Sequence, residues 1–147
     1  MVYRNQVKKV LLSSFSIFLV LFLFGCSSGT EATADCDPHA GPCTKEVDGY
    51  TVTLDISPKP VRHMKELSFD LAISGDSSAN LADTLLLDLS MPGMEMGKNQ
   101  MVLEKAGDNR YTGKGVIVKC PSGRTLWRVT LLVSETLKPA FTFNVRD

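Results

Sequence analysis

Histidine is scarce in this chain: His39 and His63 are the only two among 147 residues. Neither stands in a zinc-binding spacing. There is no Gly-x-Ser-x-Gly and no phosphate-cradling glycine loop, which excludes nucleophile-elbow hydrolases and P-loop nucleotide chemistry. The carboxylates are scattered over polar positions that meet water. No catalytic constellation survives, and the expectation is a protein that is not an enzyme. An excess of basic charge is missing too, since 16 Lys and Arg face 16 Asp and Glu. Three of those bases, Arg4, Lys8 and Lys9, sit in an N-terminal stretch without acids, so the rest holds 13 basic against 16 acidic residues. No basic stripe appears, and nothing argues for nucleic acid. Sustained helical periodicity is absent as well, which leaves period two as the dominant signal.

What is present begins with a targeting segment. Arg4, Lys8 and Lys9 form a positive region, and residues 10–24 an apolar run too short for a comfortable membrane span. The run ends in Leu23-Phe24-Gly25-Cys26. This resembles a bacterial lipoprotein signal, in which a small residue precedes a cysteine that is cleaved at its amino side and acylated on sulfur. The resemblance implies residues 1–25 as signal peptide and Cys26 as the lipidated, palmitate-bearing residue. Ser27, in place of Asp, resembles the outer-membrane pattern. The implied location is extracytoplasmic, with the protein anchored to a bacterial membrane on the periplasmic face of the outer membrane.

In that compartment disulfides persist. Beyond Cys26 stand Cys36, Cys43 and Cys120, an odd number, so one intramolecular bridge leaves one thiol. Cys43–Cys120 closes the longer loop and constrains the unfolded chain more. Cys36–Cys43 is locally feasible, and the sequence does not choose. Residues 26–34 are small and polar and read as a tether. The Cys/Pro/Gly stretch after them reads as a loop, so residues 26–46 form tether and loop, and residues 47–147 the folded domain.

That domain reads as seven short strands. Tyr50, Val52, Leu54 and Ile56 alternate with polar residues, as do Leu67, Phe69, Leu71 and Ile73. Leu85, Leu87 and Leu89 give a third strand, residues 99–104 a fourth and residues 111–118 a fifth. Trp127, Val129, Leu131 and Val133 give the sixth, and Phe141, Phe143 and Val145 the seventh. Gly113 and Gly115 share one strand face, which predicts a bulge or a close approach of another backbone. Turns every 8–12 residues or so between short strands predict an all-β, immunoglobulin-like antiparallel sandwich, with Trp127 in its core.

Between the third and fourth strands lies Met91-Pro92-Gly93-Met94-Glu95-Met96-Gly97-Lys98-Asn99-Gln100-Met101, with four of the chain's six methionines. Pro-Gly makes it a turn-bearing loop. Thioether sulfur is a soft ligand suited to Cu(I). Met91, Met94, Met96 and Met101 form one candidate ligand set, with His63 or Met64 from another loop as a further donor. A second set is Cys36, His39, Cys43 and Cys120. Against both stands plain packing, because methionine also fills irregular gaps in cores. An exposed methionine loop is equally an adaptable surface for an envelope protein partner.

The run from Asp88 to Gly97, with Asn99, Tyr111-x-Gly113 and Ser122-Gly123-x-x-x-x-Arg128, resembles the YtkA-like domain family, akin to the domain of the FixH protein of cytochrome oxidase maturation. The resemblance spans nearly all of the folded part. It implies an immunoglobulin-like sandwich outside the cytoplasm and proximity to copper handling, without an activity. The membrane helix of FixH has no counterpart here, and a lipid takes its place.

Overall fold

The computed structural model describes residues 32–75 and 81–147. The signal segment and Cys26 lie outside the described residues.

Eight strands are seen: β1 (Cys43–Val47), β2 (Tyr50–Ser57), β3 (Glu66–Gly75), β4 (Thr84–Ser90), β5 (Gln100–Gly107), β6 (Arg110–Val116), β7 (Leu126–Leu132) and β8 (Ala140–Asn144). All pair antiparallel, in the order β1-β2-β3-β6-β5-β4-β7-β8. The fold is all-β and sandwich-like, as the alternation predicts. The inward residues of β2 and β3 face those of β4, β7 and β8 in a single hydrophobic cluster. Trp127, Phe69, Phe141 and Phe143 are fully buried in it.

The ladder departs from two separate sheets at β5. Gln100 to Glu104 pair with β4, and Glu104 to Gly107 pair with β6, so one strand belongs to both layers. A register shift between Lys105 and Gly107 marks the crossing, as bulges do at sheet corners. The β6 glycines permit it. A Cβ on Gly113 would stand 2.7 Å from the Val102 carbonyl oxygen and 2.6 Å from Leu103 Cδ2. At Gly115 it would strike the Met101 methyl, with Met101 Sδ at 3.2 Å. The close approach of another backbone expected of these glycines is seen at Gly113, whereas Gly115 makes room for the Met101 side chain.

The opposite margin closes without a backbone ladder. Before β1, the Asp35 and Cys36 N–H groups donate to the Thr142 carbonyl on β8, and the Asp35 carboxylate accepts the Thr142 N–H at 2.9 Å. Lys45 on β1 reaches the Ala140 carbonyl and Asp35, with its ammonium over the Phe141 ring. Cys36 and Cys43 are disulfide-bonded, with Cα atoms 5.8 Å apart. The bridge ties the segment lying along β8 to the first residue of β1, and so clasps the two outer strands.

Two expectations are corrected here. The boundary at residue 47 is too late: the compact unit runs from Ala32 to Asp147, and β1 comes from the stretch read as loop. Only Cys43 of that strand is fully buried, so its alternation is too weak to see without its partner β2. The Cys43–Cys120 pairing does not form. Cys43 is held beside Cys36 at the sandwich margin, and Cys120 remains a free thiol.

Candidate functional site

The strand registers gather the candidate residues at one end of the sandwich. Ser90 at the close of β4 is level with Arg128 near the start of β7, and Val116 at the close of β6 is level with Glu66 at the start of β3. The loops 91–99, 117–125 and 58–65 therefore share an end. Met91, Met94, Met96, His63, Met64 and Cys120 all lie on them, and Met101 lies on the first turn of ladder below.

The methionine loop starts with a tight turn. The Met94 N–H donates to the Met91 carbonyl at 3.1 Å, with proline second and Gly93 third at φ +72°. That is the type II pattern, whose third position requires a left-handed residue. The turn doubles the chain back, and Leu89 N–H donates to the Asn99 carbonyl at 2.8 Å to close the hairpin. Met91 is 3% exposed. Met94 and Met96 are half-buried against the core cluster while Glu95 between them is exposed, so the pair shares the inward face of extended chain. Met101 fills the notch over Gly115 beside Phe69. Met91 thus lies in the core cluster, and Met94, Met96 and Met101 pack against it. Packing accounts fully for Met91, whereas Met94, Met96 and Met101 keep part of their surface in solvent.

His63 belongs to the same end. It is 7% exposed, its Nδ1 lies 3.2 Å from an Asp147 carboxylate oxygen, and its Nε2 is buried without a hydrogen-bond partner. A carboxylate only accepts, so Nδ1–H donates to Asp147. Asp147 also binds Lys119 at 3.0 Å. That bond, helped by the one to His63, holds the Asp147 carboxyl below its ordinary range against some desolvation. Met64 is 64% exposed, and its N–H donates to the Ile117 carbonyl.

In the sequence Cys120 is a member of the second ligand set and a candidate disulfide partner of Cys43, and it opens a Cys-Pro-Ser-Gly run. The Gly123 N–H does donate to the Cys120 carbonyl at 3.0 Å, as a turn requires. The thiol, 5% exposed, sits 3.0 Å from Ser122 Oγ. The Ser122 hydroxyl and N–H, then the Arg124 N–H and guanidinium charge, push the thiol below its usual range, although burial opposes them. The Arg124 guanidinium also lies about 3.8 Å from where a Gly93 Cβ would stand, so it spans from the cysteine turn to the methionine turn. Proline and glycine two positions apart after a cysteine are the signal that could have marked this pocket of N–H groups.

The second ligand set is dispersed. Cys36 and Cys43 are spent on each other. His39 accepts the Val61 N–H on Nδ1 and faces the Asn144 carbonyl with Nε2, both at 3.0 Å. Its tautomer is fixed by those partners, and both nitrogens pin β8 to the segment after β2. Among the described residues no three His, Cys, Asp or Glu side chains cluster at metal-binding distance.

A scan of the chain against known protein families gives no match, and neither does a search of curated proteins.

Proposed function

We propose that this is a lipid-anchored extracytoplasmic protein that binds Cu(I) through its methionine loop and serves as a carrier or buffer without enzymatic activity. The observation that carries the reading is the Met91–Met94 turn. It presents Met94 and Met96 on one face, half in solvent, beside the buried Met91. Half-exposed thioethers suit a soft monovalent cation that must be both captured and released. The resemblance to the YtkA-like family and the lipoprotein-like Cys26 support the compartment. The test is a competitive Cu(I) titration of the full chain and of a Met91→Leu/Met94→Leu/Met96→Leu variant. Leucine keeps the volume and removes the sulfur, at a cost under about 1.5 kcal/mol per site. The variant is expected to lose Cu(I) affinity; equal affinity ends the proposal.

A second reading has its own observation. Met64, Val116 and Val118 are exposed apolar side chains at this same end, and the Met64 N–H bond to Ile117 sets them side by side. They favour an envelope protein partner that docks on this end, with or without metal. Pulldown from envelope extract with Met64→Ser and Val118→Ser separates the two: recovery of the same partners from wild type and variant removes this reading.

A further inference from the structure

We propose that Cys120 and His63 complete the methionine site, giving the cation a thiolate and an imidazole nitrogen beside the thioethers. This rests on the Cu(I) reading above, takes up His63 as the further donor to the methionine set and adds the Cys120 thiol to it. His63 is the independent observation. Its Nδ1 is held by a carboxylate while its Nε2 is buried with no partner. A buried polar atom left unpaired costs about 1–3 kcal/mol, so its retention calls for a reason. An imidazole whose far nitrogen donates to a carboxylate is the arrangement that orients metal-binding histidines.

Asp147 accepts from both His63 and Lys119, and Cys120 follows Lys119 directly. Lys119 is exposed and Cys120 buried, so the thiol turns inward where Lys119 turns out. The Met64 to Ile117 hydrogen bond joins the two segments again. Arg124 then links the Cys120 turn to the Pro92–Gly93 turn. Cys120 and Met91 already belong to one buried cluster, with Met94 and Met96 packed on it.

Charge gives the reason for a thiolate. Thioethers and imidazole are neutral, so a cation held by them alone keeps its full charge at the edge of an apolar core, which is costly. Cys120 is the free thiol among the described residues. Binding replaces its proton, which passes to solvent, with the cation, and the metal–thiolate unit is neutral.

The test uses the full chain in detergent, with Cu(I) kept reduced by ascorbate. Wild type is expected to develop a thiolate-to-Cu(I) charge-transfer band in the ultraviolet that survives Cys26→Ser and disappears in Cys120→Ser. The copper X-ray absorption edge is expected to show one nitrogen among sulfur scatterers, lost in His63→Gln. Cys120→Ser is expected to weaken Cu(I) binding by roughly 100-fold or more, beyond what losing a mere orienting partner costs. If Cys120→Ser fails to fold, the band of the Cys26→Ser chain and the nitrogen shell of wild type decide. Cu(I) binding that needs Met94 and Met96 but shows no charge-transfer band and an all-sulfur shell overturns this inference and leaves the methionine reading intact. Absence of any Cu(I) binding by wild type overturns both.

Discussion

The two ends of the sandwich are closed by different material. At one end β1 and β2 meet through Asp48 and Gly49, both at positive φ, and β5 and β6 meet through Asp108 and Asn109, the latter at φ +55°. A third connection is capped by Ser134, whose hydroxyl accepts the Leu137 N–H. The first two turns are two residues long and polar, and left-handed backbone specifies them, while the third relies on its serine cap. No histidine, cysteine or methionine stands on any of them. At the other end the loops are longer, and side chains close them: Met91 sinks into the core, Arg124 spans two turns and Asp147 joins His63 to Lys119. A fold that needed only to reverse its strands would use the first kind of closure twice. The second kind keeps polarizable and ligating atoms in one place at the expense of an unpartnered nitrogen, which is what a binding site demands.

The largest expected effect separates Met91 from its neighbours. Met91→Ala removes a side chain that is 3% exposed and is expected to cost about 2–5 kcal/mol by leaving a cavity. Met94→Ala removes a half-exposed side chain and is expected to cost much less. Chemical denaturation of each variant measures the difference. Equal and small losses would mean that the loop is not anchored in the core, and the contrast between the two ends would collapse.

The β strands were legible because alternation is a local pattern: Leu67, Phe69, Leu71 and Ile73 announce β3 without reference to any neighbour. Gly113 and Gly115 were legible for a related reason, since only close approach explains two glycines on one strand face. The double membership of β5 was not, because it depends on pairing with β4 and β6 over different halves of one strand. β1 escaped for the same cause: an edge strand with one fully buried residue carries almost no periodic signal. Methionine clustering identified the loop. It said nothing of how Met91 and Met94 divide between core and solvent, which the Pro92–Gly93 turn decides. Cys120 and His63 lie 57 positions apart in the chain. Only the shared contacts of Asp147, together with the register of β3 on β6, bring their segments to one end.

A smaller effect is expected at the clasped margin. Replacing Cys36 and Cys43 together with serine opens a short loop, and the chain-entropy account puts the loss at about 2–3 kcal/mol. The Thr142 and His39 hydrogen bonds remain to hold the segment in place. Thermal unfolding is expected to shift downward while Cu(I) affinity stays at the wild-type value. A parallel loss of affinity would sharpen the comparison in another direction, by making the clasp part of the methionine end.

The smallest effect belongs to the far end, and it is the most demanding control. Asp48 sits at φ +51° before Gly49 at φ +80°. Asparagine tolerates the left-handed region as well as aspartate does, and Asn-Gly is the favoured pair for a two-residue hairpin of this hand. Asp48→Asn is therefore expected to change stability by no more than about 0.5 kcal/mol, of either sign. It is expected to leave Cu(I) affinity unchanged, because β2 separates the turn from the methionine end by its full length. Denaturation and Cu(I) competition on the same sample check both statements. A change in affinity with unaltered stability would mean that the strands transmit a turn's geometry to the opposite loops. The two ends could then no longer be treated as independent pieces of the fold.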